Sequence, residues 1–210
     1  ALQKQKQIDE LKSTVEESEL QFLRSQINPH FLFNNLNNLY SYALENSPKT
    51  PEIILEMSGV LRYMLYECKE KYVPLKKEVE QLNNFIKLYK LQIEDRGSVQ
   101  FKTEHIGSGY QVAPLILIVF IENAFKHSQS GQSSNIKIDI NVVRTGNQLQ
   151  FSCSNNFEPV NQLDAVANGI GLKNVKKRLE LLYPNRHKLQ ITKEDNQFSV
   201  LLDMELEKSQ

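Results

Sequence analysis

The chain has 210 residues, of which 40% are hydrophobic, and its 25 basic residues balance 25 acidic residues at a formal net charge of zero. This length is enough for one or two domains with a buried core, and the balanced charge gives no basic footprint for nucleic acid. The two cysteines, Cys68 and Cys153, lie far apart, which excludes a disulfide framework or a cysteine zinc site as the organising principle.

The first predicted helix covers residues 2–22. Its seam positions recur at alternating spacings of three and four, the a/d pattern of helices that pair. These positions hold Ile8, Leu11, Val15, Ser18 and Phe22. The chain starts without methionine and already in helical register, and its longest apolar run, residues 114–121, is far shorter than the ~20 residues of a membrane span. We therefore expect the cytoplasmic part of a larger protein whose membrane segments lie upstream.

Two further helices are predicted to form an antiparallel hairpin. Pro29 interrupts the helical pattern, and Asn28 as N-cap with Pro29 as the first helical residue starts a new helix. Thr50 as N-cap and Pro51 behind it start the next helix after a short turn. A two-helix hairpin has too little core to stand alone, whereas two copies form a four-helix bundle. We therefore predict a homodimer.

The hairpin and the helix before it make up a predicted first domain, residues 1–72, and residues 73–208 make up the second. A helix with a clean apolar stripe, residues 75–93, opens the second domain, and the period changes from helical to two after Gly97. The predicted strands are 99–103, 136–142, 149–153 and 198–204, and the later helices are 114–128 and 172–183. This order predicts an α+β fold, a mixed sheet with helices on one face.

The first candidate for chemistry is a histidine in an unusual setting: residues 28–34 read N-P-H-F-L-F-N. A histidine on a helix face is commonly a packed or solvated bystander. Here His30 follows a proline and is surrounded by two phenylalanines and two amides. Neutral imidazole is a competent nucleophile near pH 7, because its ordinary pKa is about 6.5.

The second candidate is a polar helix face at the end of the helix predicted over residues 114–128. Glu122 and Lys126 are four residues apart, as are Asn123 and His127, so the four side chains share one face. An amphipathic helix with a helical salt bridge explains this pattern. A site for Mg²⁺ and phosphate explains it equally well, because amide and carboxylate oxygens suit the hard cation and lysine suits a polyphosphate.

The third candidate is a pair of glycines, Gly169 and Gly171, within residues 168–174. This segment reads N-G-I-G-L-K-N and opens the last amphipathic helix. Backbone N–H groups at such a helix start approach an anion, and the helix dipole adds to the attraction. A simple glycine turn accounts for the same sequence. A dinucleotide fingerprint is not expected, because the pair does not follow a strand within a β-α-β unit.

Taken in chain order, these motifs resemble the LytS-type sensor histidine kinases, whose acceptor motif reads N-P-H-F-L-F-N and whose ATPase half has the Bergerat fold. The resemblance covers residues 20–205. It implies autophosphorylation of His30 from ATP with Mg²⁺, and transfer of the phosphoryl group to an aspartate of a response regulator. The implied partners are a second copy of the chain and that regulator, with no nucleic acid.

The resemblance also implies a role for each matched residue. His30 matches the phosphorylated histidine, Asn123 matches the asparagine that holds Mg²⁺ against the triphosphate, and Glu122 resembles its acidic partner. Lys126 and His127 match positions that contact the phosphates. The residues that match the glycine segment closing over the nucleotide are Gly169, Gly171, Leu172 and Asn174.

One departure concerns the adenine pocket. Chains of this type usually carry Asp-Asn-Gly where this one has Asn155-Asn156-Phe157, at the start of the implied ATP lid, residues 157–168. The aspartate accepts the adenine amino group, and Asn155 accepts only through an uncharged amide oxygen. A charge-assisted hydrogen bond contributes roughly 1.5–3 kcal/mol against about 1 for a neutral one. We therefore expect about tenfold weaker ATP binding.

A second departure lies beside the acceptor, where Phe31 stands in place of an orienting acid. The base must then come from another helix or from the ATPase half, and Asn34, one turn after His30, is a candidate for handling water or the phosphoryl group. Two alternatives stay open: a dimeric signalling scaffold that transfers no phosphate, and an ATPase without a histidine acceptor. The second leaves the His30 motif unexplained.

Overall fold

The structure, a computed structural model, describes residues 29–129, 135–157 and 169–209. The predicted paired helix at residues 2–22, the Asn28 cap and most of the implied ATP lid lie outside the described residues. Within them, no helix is both long enough and apolar enough to cross a bilayer.

The predicted hairpin is present as α1 (Pro29–Leu44) and α2 (Thr50–Tyr66). The turn between them contains Asn46 with a φ of 50°, a left-handed conformation that asparagine tolerates better than most residues. The predicted cap was wrong by one residue: Lys49 is the N-cap, makes no side-chain capping bond, and Thr50 is already helical. Proline in the first turn still favours a helix start here, because its missing N–H would have no helical partner.

The third helix, α3 (Leu75–Ile93), connects the hairpin to the rest of the molecule. Its predicted apolar stripe is buried along the whole helix, with Leu82 and Ile86 each 1% exposed. The ring of Tyr89 stacks on Phe125 of the next helix, with centroids 4.8 Å apart. Short 3-10 turns, Glu67–Lys69 and Glu94–Arg96, flank α3 on either side.

The main sheet is mixed, as predicted. In spatial order it contains β2 (Gly97–Glu104), β4 (Ile136–Thr145), β5 (Gln148–Asn156), β7 (Gln197–Glu205) and β6 (His187–Glu194). The β2–β4 pair is parallel and the other neighbours are antiparallel. A small second sheet joins β1 (Val73–Pro74), β3 (Tyr110–Val112) and β8 (Glu207–Lys208).

One face of the main sheet is covered by helices. Along β4, Ile136, Ile138 and Ile140 are buried while the intervening residues are exposed, which is the period-two pattern of a strand with one covered face. The helix α4 (Leu117–Gln129) packs on β4 and β5, and α5 (Gly169–Leu182) packs on α4. The α+β prediction is therefore confirmed for the second half of the chain.

Two helix boundaries differ from their predictions. The helix α4 begins at Leu117 and not at Pro114, because Leu115 has a φ of 59° and breaks the helical backbone. The helix α5 begins at Gly169 and not at Leu172, so the glycine pair forms its first turn.

Candidate functional site

The polar face predicted on α4 exists, and its residues differ strongly in burial. The opposite side of the helix carries buried apolar residues that fix its rotation on the sheet. Glu122 is half-buried and Lys126 is exposed. Burial raises the pKa of Glu122 to about 7, while the nearby positive charge of Lys126 opposes that rise. A carboxyl group poised near neutrality beside a lysine is suited to proton transfer or to cation binding.

Asn123 has a fixed orientation. Its side chain is 8% exposed, and its Nδ2 donates to the Val119 carbonyl at 2.7 Å. The carbonyl oxygen Oδ1 is then the atom available toward a ligand, and amide oxygens are accepted ligands of Mg²⁺. One amide oxygen at Asn123 fits a Mg²⁺ ion that is held mainly by substrate phosphates.

The glycine motif lies directly against α4. A Cβ placed on Gly171 would stand 3.6 Å from Val119 Cγ1 and 3.9 Å from Asn123 Nδ2. The structure thus brings the first turn of α5 next to the residue predicted to hold Mg²⁺. Leu172 packs against the core and Asn174 is half-buried on the same helix. The helix start adds backbone N–H groups and the positive end of the helix dipole.

Asn155 provides an unpaired polar atom deep in the protein. The side chain is 1% exposed, and its Nδ2 donates to the Asn156 carbonyl at 2.9 Å. Its Oδ1 is buried and has no hydrogen-bond partner among the described residues. An unsatisfied buried acceptor costs about 1–3 kcal/mol, so such an atom is a good candidate for ligand recognition.

The end of β5 is tied to α4 and β4 by residues that the sequence analysis did not single out. Ser128, fully buried, donates from Oγ to the Asn156 carbonyl at 3.1 Å. The side chain of Asn156 accepts at Oδ1 from the Lys137 backbone N–H at 2.8 Å and donates from Nδ2 to the Asn135 carbonyl at 2.7 Å. These bonds fix the strand end that carries Asn155. No sequence signal marked Ser128, because its role depends on a strand that is distant in the chain.

A group of aromatic and basic side chains borders this strand end. The ring of His127 lies 5.7 Å from that of Phe198, which pairs with Asn155 across the β5–β7 ladder. Lys193 lies over the ring of Phe157, with its Nζ 4.7 Å from the ring centre. Burial, followed by the charges of Lys126 and Lys193, lowers the pKa of His127. His127 is therefore predominantly neutral at pH 7 and contributes a hydrogen bond to a ligand more readily than a charge.

The acceptor motif lies on the hairpin. His30 is in the first turn of α1, and its side chain lies outside those that the structure describes. Asn34, one turn later, is half-buried. The structure thus places Gly171 of α5 next to Asn123 of α4, with Glu122 adjacent to Asn123 in the same helix, while the position of the His30 imidazole relative to them stays a prediction.

Comparisons with known proteins agree with the motifs. A family model described as histidine kinase matches residues 18–97. The sensor protein LytS of Staphylococcus saprophyticus is 28% identical over 188 residues, which is 84% of this chain and 32% of that protein. The sensor histidine kinase BtsS of Escherichia coli K12 is 26% identical over 196 residues, or 92% of this chain and 34% of that protein.

Among solved structures, that of the Acinetobacter baumannii histidine kinase AdeS covers 94% of this chain and 97% of its own, with a TM-score of 0.46 and 13% identity. The chain spans about a third of the length of the curated relatives it matches. Together with the N-P-H-F-L-F-N motif, the histidine kinase match over residues 18–97 and the LytS and BtsS relatives support a LytS-type sensor histidine kinase.

Proposed function

We propose that this chain is the phosphotransfer core of a two-component sensor kinase. It binds ATP with Mg²⁺, transfers the γ-phosphoryl group to His30, and passes it to an aspartate of a response regulator. The observation that carries the proposal is the buried Oδ1 of Asn155, which has no hydrogen-bond partner among the described residues and lies at the end of β5, a strand that packs on α4. The domain division at residue 72 and anchoring of the whole protein in a membrane are part of the same proposal.

Adenine recognition rests on the orientation of the Asn155 amide. Because Nδ2 is bound to the Asn156 carbonyl, Oδ1 is the atom presented to a ligand. An exocyclic amino group is a donor and pairs with this oxygen, whereas the keto oxygen of guanine is an acceptor and does not. This orientation supports a preference for adenine even though the usual aspartate is missing.

Phosphate binding follows from the neighbouring positive and dipolar groups. Lys126 provides a positive charge, and the first turn of α5 provides N–H groups beside Asn123. Mg²⁺, when bound, neutralises phosphate charge during phosphoryl transfer. Asn123 Oδ1 is the oxygen of this chain that would hold it.

The proton of the attacking imidazole needs an acceptor. Neutral His30 attacks the γ-phosphorus through one ring nitrogen, the bond to the ADP oxygen breaks, and the other ring nitrogen then loses its proton. Glu122 is the proposed base, because its pKa of about 7 leaves a large ionised fraction at neutral pH. Asn34, one turn from His30, is the proposed residue for handling water or the receiver's phosphoryl group.

The hairpin surface supports the proposed homodimer. On α1, four exposed apolar residues recur at spacings of three and four: Phe33, Leu36, Tyr40 and Leu44, here called the exposed seam. Tyr40 is 66% exposed and Leu44 is 65% exposed. An apolar row of this length on a soluble helix indicates a binding surface, and a second hairpin would cover it as a four-helix bundle.

A phosphate-labelling experiment tests the proposal and separates it from the alternatives. Incubation with γ-labelled ATP and Mg²⁺ should give a protein label that acid removes and alkali spares. His30→Asn should abolish that label, while His105→Asn, at an exposed histidine with a left-handed backbone that asparagine tolerates, should keep it.

The other outcomes of this experiment identify the alternatives. Release of phosphate without protein label would support an ATPase that has no histidine acceptor. Absence of nucleotide binding would support a signalling scaffold, an alternative that the Asn155 and Phe157 departures favour.

A further inference from the structure

The segment that leads into α4 is held by side chains from two other parts of the fold. The Ala113 N–H donates to the Tyr183 hydroxyl at 2.7 Å, and Arg178 Nη2 donates to the Pro114 carbonyl at 2.7 Å. The Leu115 N–H donates to Glu78 Oε1 at 2.8 Å. Two of these partners come from α5 and its C-terminal end, and the third comes from α3.

Leu115 is the residue of this segment that most needs support. Its φ of 59° lies in the left-handed region, which leucine rarely adopts. Such a conformation persists only when the surroundings hold it in place. Because α4 begins two residues later, the Leu115 backbone sets the start of the helix that carries Glu122 and Asn123.

The carboxylate that holds Leu115 is also bound to the hairpin. Glu78 is 1% exposed, and its second oxygen, Oε2, accepts a hydrogen bond from the Tyr63 hydroxyl. Tyr63 belongs to α2 and is itself 1% exposed. One buried carboxylate therefore connects the second helix of the hairpin to the start of α4.

A contribution to the stability of the whole fold is a poor explanation for the buried Glu78 carboxylate. Replacing a buried charged group and its partners with apolar residues is often neutral or stabilising, so such a group is weak evidence for stability alone. Burial raises the pKa of Glu78 to about 7, and the Tyr63 hydroxyl, the Leu115 N–H and the Arg178 charge oppose that rise. Two of these opposing groups, the Tyr63 hydroxyl and the Leu115 N–H, are thus the same ones that the carboxylate connects.

We infer that Glu78 is a positioning residue that couples the hairpin to α4, so that a change at Tyr63 alters the nucleotide site through Leu115. Tyr63 itself lies on the hairpin and is not part of the nucleotide site. The link to nucleotide binding rests on the proposed function, whereas the mechanical link between Tyr63, Glu78 and α4 does not.

The first test measures amide hydrogen exchange in the full chain without nucleotide. Tyr63→Phe removes the hydroxyl and keeps the buried ring. We expect exchange at Leu115 and the first turn of α4 to rise about fivefold, the effect of losing one neutral hydrogen bond. The control is Tyr110→Phe, at a half-buried tyrosine of β3 whose ring packs on Arg144. It should leave exchange in α4 unchanged.

Two results of this measurement would overturn the inference. One is unchanged exchange in α4. The other is a rise of similar size in β4 and β5, which would show that Tyr63 stabilises the whole fold and does not act locally. Glu78→Gln, which keeps the size but replaces one of the two acceptor oxygens with an NH₂ donor, should show the same local rise where it folds, and Tyr63→Phe decides the question where it does not.

The second test measures the affinity for ATP with Mg²⁺ in the same variants. Tyr63→Phe should weaken it several-fold, and Tyr110→Phe should not change it. Faster amide exchange in α4 together with an unchanged ATP affinity would show that Tyr63 does not influence the nucleotide site. If the unaltered chain binds no ATP, the proposed function fails, and the exchange measurement still decides whether Glu78 couples the hairpin to α4.

Discussion

The hairpin and the α+β half of this chain are incomplete in opposite ways. Within the described part of the chain, the hairpin has an apolar surface without a cover, the exposed seam of α1, together with exposed Leu55 and Tyr66 on α2. The α+β half buries its apolar residues well and instead contains a polar atom, Asn155 Oδ1, that has no partner among the residues that the structure describes. An uncovered apolar surface indicates another protein surface as its partner, and an unpaired buried acceptor indicates a small ligand that donates a hydrogen bond.

The largest effect should come from placing a charge in the exposed seam. Tyr40→Glu would bring two carboxylates into a symmetric hairpin interface, because each copy contributes the same residue. Burying unpaired charges costs several kcal/mol, so dimerisation should weaken by a hundredfold or more. Sedimentation or light scattering across a concentration series measures this change.

Ser41→Glu is the matched control for that substitution. It adds the same charge at an exposed position about 100° further round α1, and should leave the association state unchanged. Equal dimer strength in Tyr40→Glu and the unaltered chain would show that the exposed seam is not the dimer interface. The hairpin would then no longer be the region that a second protein surface completes.

The pH dependence of autophosphorylation tests the proposed proton transfer from His30 on the hairpin to Glu122 in the α+β half. Glu122 has a pKa raised to about 7, so its ionised fraction grows about tenfold between pH 6 and pH 8. The neutral fraction of an imidazole with the reference pKa of about 6.5 grows about fourfold over the same range. If both forms are needed, the rate at saturating ATP should rise by about fortyfold as the pH rises.

Glu122→Gln separates these two contributions. The variant should be slower at every pH, and its rate should rise only about fourfold between pH 6 and pH 8, because only His30 then titrates. A fortyfold rise that survives in Glu122→Gln would exclude Glu122 as the base. Measuring initial rates of acid-labile label, normalised to folded protein, keeps the comparison independent of stability.

Much of the fold was predictable because its strands carry a local signal. Ile136, Ile138 and Ile140 alternate with exposed residues, and this pattern identified β4 correctly. The strand β6 was missed although Leu189 and Ile191 also alternate, because the remaining residues of that strand are polar. The second sheet was missed for a different reason: its strands have two or three residues, too few for any period to appear.

The site was predictable only where its residues are close together in the sequence. Glu122 and Asn123 became candidates because they share one helix with Lys126, and the glycine pair became a candidate because it was predicted to open a helix. The bond between Tyr63 and Glu78 left no trace in the sequence, because it joins different elements. Its existence depends on how the hairpin packs, which periodicity does not specify.

The smallest of these effects concerns the atom that defines the α+β half, Asn155 Oδ1. Asn155→Leu removes the acceptor at nearly constant volume and leaves the adenine amino group unpaired, so ATP affinity should fall about tenfold. The control is Ser154→Ala, which alters the neighbouring residue on the opposite face of β5. Calorimetric titration with ATP and Mg²⁺ measures both variants, and an unchanged affinity in Asn155→Leu would remove Asn155 from the adenine pocket.

Restoring the usual aspartate at this position should change the affinity less than its charge suggests. Asn155→Asp gains a charge-assisted bond to adenine, but its second oxygen takes the place of Nδ2, which now donates to the Asn156 carbonyl. That carbonyl also accepts from Ser128 and is fixed at the strand end, so the carboxylate would face another acceptor. A gain of about 1 kcal/mol is offset by a loss of similar size, and the affinity should change less than about fivefold. A much larger increase would show that the Asn156 carbonyl can turn away and that the strand end is less rigid than its hydrogen bonds indicate.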